Sequence, residues 1–83
     1  MKVNLIGLRK LDFENEKGDQ VQGIKLFFAY PEENVYGNTA DSRFISAELI
    51  EKLGVPVQDL IDHIDQVIDI EISPKNKIVG ITI

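Results

Sequence analysis

Residues 3–13 and 21–30 are two apolar-rich runs whose positions sort by parity into two unlike sides, as the two faces of a β-strand do. The segment between them, residues 14–20, is polar and holds Asn15, Gly18 and Asp19, all turn formers. The two runs therefore predict the arms of one long hairpin. On the even side lie Ile6, Leu8, Ile24, Leu26, Phe28 and Tyr30, the more continuous apolar set, and this side is assigned to the core. The odd side mixes Arg9, Lys25 and Phe27 with Gly7 and Gly23. With the turn centred at Lys17, Arg9 faces Lys25, Gly7 faces Phe27 and Leu11 faces Gly23. The two glycines weaken a strand but permit a bulge, a bend or the close approach of another backbone.

Pro31 ends the second arm, and residues 31–34 form an acidic turn. Val35-Tyr36 reads as a short strand followed by a loop, and residues 43–45 as a third short extended segment. Ser46 then suits a helix N-cap, with Glu48 in the first turn where the helix dipole favours a negative charge. Leu49, Ile50 and Leu53 make an apolar stripe at helical spacing, and Gly54 ends it. Pro56 suits the first position of a new helical turn, and Val57, Leu60, Ile61 and Ile64 repeat the stripe. The middle of the chain is one broken helix or two short ones. From Val67 the period returns to two, with Ile68, Ile70 and Ile72 inward. A turn at 73–77 leads to a last β-branched strand over 78–83. No repeat, linker or low-complexity segment divides residues 1–83, so one domain is expected. It is mainly β with a helical insertion: long hairpin, short strand, helix, hairpin.

Composition narrows the chemistry. Of the 83 residues 43% are hydrophobic and 28% charged, ordinary for a globular protein. No apolar run approaches the ~20 residues of a membrane span, and the first residues do not form a signal peptide. There is no cysteine, which removes disulfides and thiolate chemistry and fits the cytoplasm. The one histidine, His63, lies beside Asp62 and Asp65; a zinc site needs more nitrogen or sulfur ligands. Asp12, Glu14 and Glu16 alternate like the start of a calcium loop, but Gly18 comes one place late and Gly23 stands where a glutamate is needed. No phosphate-binding glycine loop or nucleophile elbow is present. Neither an enzyme nor a cofactor is expected.

The formal charge is −5, which opposes binding to phosphates. The acid is unevenly placed. Residues 1–44 hold six Lys/Arg against seven Asp/Glu, whereas residues 45–83 hold three against seven. The hairpin half can therefore carry a basic face. Two opposed cations, Arg9 and Lys25, repel each other across a strand pair. Either they flank an anion, or they are splayed into solvent. Phe27 lies on their side. A ring between cations suits a single-stranded nucleic acid, stacking a base while the cations hold phosphates. The other reading is that a coiled hairpin buries Phe27. Tyr36, beside Gly37 in a loop, offers a second exposed ring. Phe28 and Tyr30 belong to the core by parity, and Phe44, just before the helix, is placed there too. The acidic helix positions, Glu48, Glu51, Asp59, Asp62 and Asp65, read as a solvated face or as a site for a basic partner protein.

The order of elements is that of an OB-type barrel with the helix between the third and fourth strands. In this order, residues 3–7, Phe13 before the turn, residues 22–28, Asn34-Val35-Tyr36-Gly37, residues 43–46 and the closing turn through Lys75-Asn76-Lys77 resemble small single-stranded DNA-binding proteins. Those proteins are carried by phages and mobile elements and are similar to the filamentous-phage gene-five type. The resemblance spans nearly the whole chain and rests on spacing. It implies a sequence-independent coat for single-stranded DNA in replication of a phage or mobile element, acting as a homodimer without cofactor. Carried over by position, its contacts fall on Arg9, Lys25, Phe27, Tyr36 and Arg43. The net acidic charge and the long helical segment depart from that pattern. The alternative is a non-catalytic protein-interaction module that uses the acidic helix face or an open sheet edge.

Overall fold

The computed structural model describes all 83 residues. The first two strands are β1, Lys2–Glu14, and β2, Gln20–Pro31. Asn15 builds the turn between them: its side-chain carbonyl accepts hydrogen bonds from the Lys17 and Asp19 amides, each at 2.9 Å. Arg9 pairs with Lys25, Gly7 with Phe27 and Leu11 with Gly23, the register that a turn centred on Lys17 predicts.

The register shifts between Leu5 and Gly7, where β1 carries one extra residue. A bulge of this kind reverses which side chains face inward. Beyond it the even positions point inward, and Ile24, Leu26 and Phe28 are fully buried. Before it the odd positions do. Val3 and Leu5 are buried and Ile6 is 48% exposed, so Ile6 does not belong to the core to which unbroken alternation assigns it. Tyr30 is half-buried and its ring stacks on Phe28 at 6.1 Å between centroids.

The third strand is a single long one, β3, Asn38–Ser46, and it pairs with β2 over its whole length. Val35 and Tyr36, expected as a strand, lie instead in the turn before it. Asn34 and Gly37 both take left-handed backbone angles there (φ 66 and 84), which reverses the chain within a few residues. Two helices follow, α1, Ala47–Leu53, and α2, Val57–Asp62. The Ser46 hydroxyl accepts from the Leu49 amide at 3.1 Å as the N-cap of α1. Pro56 sits one position earlier than expected, as the residue that caps α2. Strands β4, Val67–Ile72, and β5, Ile78–Thr82, close the chain as a second hairpin.

The sheet order is β3-β2-β1-β4-β5, all neighbours antiparallel. This is the OB-type order, with the helices between the third and fourth strands. The two outer strands approach each other without a hydrogen-bonded ladder, so the sheet curls into a partly open barrel. Its core is wholly apolar. Leu5, Leu26, Ile45, Ile70 and Ile78 come from the five strands, and Leu60 from α2 enters from the helical side. α1 packs on β2, β3 and β5 through half-buried Leu49 and Ile50.

Arg43 ties β3 to the turn between β4 and β5. Its Nε donates to the Asn76 carbonyl at 2.9 Å, and its Nη1 donates to Asp41 Oδ1 at 2.6 Å and to the Ser42 carbonyl at 2.8 Å. The Arg43 guanidinium, with the Ser42 amide, holds the Asp41 carboxyl below its ordinary pKa of 3.8. A carboxylate shifted this way contributes stability above the ordinary value and loses it as pH falls through the lowered one. The seam between β3 and β5 is therefore expected to loosen in acid below about pH 3.8. Amide exchange at Asn76 and Lys77 should speed up over that range in the wild type, and should be nearly pH-independent, beyond the intrinsic rate, in Asp41→Asn.

Candidate nucleic-acid interface

Cross-strand partners share a face of the sheet, so the registers fix what the outward side of β1, β2 and β3 displays. One row across the three strands is Arg9, Lys25 and Phe44. The next is Gly7, Phe27 and Ser42. Toward the hairpin tip come Leu11 with Gly23, then Phe13 with Val21; toward the other end, Ala29 with Ala40. The charged residues of this surface are Arg9, Lys25 and, at the end of β1 before the bulge, Lys2, which stands opposite Asp69 of β4; no Asp or Glu of β1, β2 or β3 stands on it. Asp12, Glu14 and Asp41 have the opposite parity on their strands, and the remaining acids lie in turns, on the helices and on β4. A chain of net charge −5 thus presents a face whose only charges are positive.

Neither Arg9 nor Lys25 is neutralised within the chain. Its ion pairs are Met1 with Asp69, Arg43 with Asp41, and Lys52 with Glu48. Arg9 is exposed and Lys25 half-buried. Directly opposed partners sit about 5 Å apart at Cβ, so the two charges repel and gain from an anion between them. The Lys25 ammonium lies 5.9 Å from the centre of the Phe27 ring, at cation–π distance. Phe27 is half-buried and flanked by small residues. The side of Gly7 facing it is open, with nothing within 4 Å of the place a Cβ would occupy.

Phe44 is 44% exposed and belongs to this surface. Its expected place in the core is corrected by its pairing with Lys25, which puts it on the outward parity of β3, while Ile45 takes the inward position. The ring lies over Gly23. A Cβ on Gly23 would fall 2.8 Å from Phe44 Cε2 and 2.2 Å from the Ile45 carbonyl oxygen, so only glycine admits the ring and the neighbouring backbone together. The signal that locates Phe44 is the alternation Ser42, Phe44, Ser46 against Asp41, Arg43, Ile45, which becomes readable once residues 38–46 are taken as one strand.

The five residues expected at a nucleic-acid site do not all meet. Arg9, Lys25 and Phe27 share the face. Arg43 is opposite core residue Leu26, on the other parity, and is engaged with Asp41 and Asn76 at the seam. Tyr36 is fully exposed at the tip of the β2–β3 connection, where Glu32 and Glu33 repel phosphate. The acidic residues Glu48, Glu51, Asp59, Asp62 and Asp65 are all exposed on the helical side. His63 Nδ1 lies 2.7 Å from the Asp59 carbonyl, a local helical contact. No cluster of three or more His, Asp or Glu side chains gathers as a metal site, and no helix is long and apolar enough to cross a membrane.

Comparison with known protein families, with curated proteins and with solved structures finds no significant match to this chain.

Proposed function

We propose that the protein binds single-stranded DNA, without sequence preference, on the outward face of β1, β2 and β3. The observation that carries this reading is the acid-free face on which unpaired Arg9 and Lys25 stand beside Phe27 and Phe44. Stacking accepts any base because every base has a π-face, and cations on the same surface take the phosphates. Nothing on this face presents the fixed pairs of donors and acceptors that read a base sequence. The small residues in the row of Phe27, Gly7 and Ser42, leave room for a flat ligand to lie beside its ring.

Acid elsewhere on the molecule has a role in this scheme. It confines phosphate to one side and repels it from the helical side, so the strand is held in a single track. Coating phage or mobile-element DNA during replication is the process such binding would serve.

The experiment is fluorescence anisotropy of a labelled oligo-dT strand titrated with the protein at several salt concentrations. Affinity should fall linearly on a logarithmic plot, with a slope of about −0.7 for each phosphate neutralised. Binding that is absent at low salt, or indifferent to salt, would reject the reading. Stacking is tested by Phe27→Leu, which keeps the apolar bulk and removes the π-face. It should weaken oligo-dT about tenfold, within the ~1–3 kcal/mol that a stacked base contributes, and leave the salt slope unchanged.

A further inference from the structure

Two clefts of about 320 Å3 each lie where the inner side of the hairpin meets the helices. Both are lined by Ala47 and Ile50, so they run together as one groove along α1. The floor follows from the helical period. Ala47, Ile50, Glu51 and Gly54 recur at spacings of three and four and share one side of α1 and its cap. Ala47 is small, and nothing lies within 4 Å of the place a Cβ on Gly54 would occupy, so the floor is low on both sides of Ile50. Ile24 and Val57 close the hairpin end, and Val55 and Pro56 the other. No residue of α1 is fully buried, although Leu49, Ile50 and Leu53 are all large and apolar. The helix thus lies on the barrel with one side uncovered.

The walls are charged unequally. Lys10 and Asp12 stand two apart on one face of β1 and offset each other. Glu51 is exposed and has no cation, since the ion pair within α1 joins Lys52 to Glu48. Asp59, in the first turn of α2, is also exposed and forms no ion pair. Residues 47–65 hold five Asp/Glu against one Lys/Arg. An apolar groove edged by unneutralised carboxylates complements a segment with apolar side chains on one face and cations beside them. Ala47 and Gly54 are seven residues apart, about 10 Å along a helix axis, which is room for two apolar side chains one turn apart on a facing helix.

We infer that this groove docks a basic amphipathic helix of a partner protein: apolar side chains of that helix enter on either side of Ile50, and a flanking Lys or Arg meets Glu51. The inference stands apart from the single-strand reading above. Arg9, Lys25, Phe27 and Phe44 do not line the groove, so a strand on the outward face and a partner on the helical side can be held at the same time.

The probe is a labelled synthetic peptide of about fifteen residues, long enough to turn helical on docking, with Leu on one face and Lys on the other. Two control peptides keep one feature each: Ala in place of Leu keeps the charge, and Glu in place of Lys keeps the apolar stripe. Anisotropy titrations should show the Leu–Lys peptide binding at least about tenfold more tightly than either control. Three exposed positions on the protein locate the site, and thermal melts confirm that each variant is folded. Ala47→Gln keeps a good helix former but lays a longer side chain over the floor, and should weaken the peptide about tenfold. Glu51→Lys should also weaken it about tenfold. Asp62→Lys reverses the same charge on the helical side but outside the groove, and should weaken it less than about threefold. Wild-type affinity in Ala47→Gln, or equal losses at Glu51 and Asp62, would reduce the binding to diffuse attraction and overturn the groove. A Leu–Lys peptide that binds no better than its Ala–Lys control, or not at all, would overturn it too. Oligo-dT affinity should be unchanged in Ala47→Gln. If wild-type protein fails to bind oligo-dT yet gives this pattern with the peptides, the single-strand reading falls and the groove stands.

Discussion

Replacing Arg9 and Lys25 together by alanine is expected to weaken oligo-dT binding about a hundredfold at low salt. The two side chains face each other in the hairpin register and have no acidic partner. Each is free to form a charge-assisted hydrogen bond to a phosphate. Such bonds contribute about 1.5 kcal/mol at the low end, so two correspond to roughly a hundredfold in affinity. The slope of log affinity against log salt should become shallower by about 1.4, twice the single-strand value per phosphate. Stability should not fall. Removing a pair of opposed like charges relieves repulsion in the free protein, so the thermal midpoint should stay level or rise. Loss of binding accompanied by a lowered midpoint would mean that the variant had damaged the hairpin, and would not support a phosphate site. The charge-keeping exchange of Arg9 to Lys should retain most of the affinity, because a phosphate held as a point charge accepts either cation.

Gly23→Ala is expected to be among the most damaging single-methyl additions in the chain. The new Cβ would lie 2.2 Å from the Ile45 carbonyl oxygen, which is main chain of the β2–β3 ladder and cannot swing aside as a side chain can. It would also push on Phe44 Cε2 and Cζ at 2.8 and 2.9 Å. Overpacking costs typically ~1–3 kcal/mol where side chains can adjust. Against backbone about 3 kcal/mol is expected, a large part of the ~4–12 kcal/mol that a domain of this length holds in total. Urea denaturation reads it as a lower midpoint at unchanged slope. Gly7→Ala is the matched control. Nothing lies within 4 Å of its Cβ position, so it should shift stability by no more than ~0.5 kcal/mol. The variant also bears on the site. Phe44 must move to make room over residue 23, so single-strand affinity should fall in any Gly23→Ala protein that remains folded.

Much of this is readable from residue order. A seven-residue polar turn centred on Lys17 sets the hairpin register, and that register alone brings Arg9, Lys25 and Phe27 to one face. Ser46 and Gly54 announce α1 because capping is local chemistry. The bulge at Ile6 is different. Gly7 permits a bulge, and one falls beside it where β1 pairs with β2 on one side and with β4 on the other, but nothing in the local sequence states that it occurs or that Ile6 is the extra residue. Local pattern therefore puts Ile6 in the core and misses Val3 and Leu5. Phe44 is misplaced for a related reason. A ring just before a helix looks like core until residues 38–46 are known to be one strand, and that depends on pairing with β2 more than ten residues away. Arg43 looks like a free cation in the sequence. Its engagement with Asn76 depends on the two ends of the sheet meeting, a contact across 33 residues that local pattern does not contain.

The central claim is that the acid-free face of β1, β2 and β3 takes the strand. The most direct measurement is a 1H–15N correlation spectrum of the labelled protein titrated with oligo-dT at low salt. Binding on this face predicts that the amides of Gly7, Arg9, Lys25, Phe27, Ser42 and Phe44 move together in proportion to occupancy, while those of Glu51, Asp59 and Asp62 stay where they are. Shifts centred on the helices, or a spectrum that oligo-dT leaves unchanged, would contradict it.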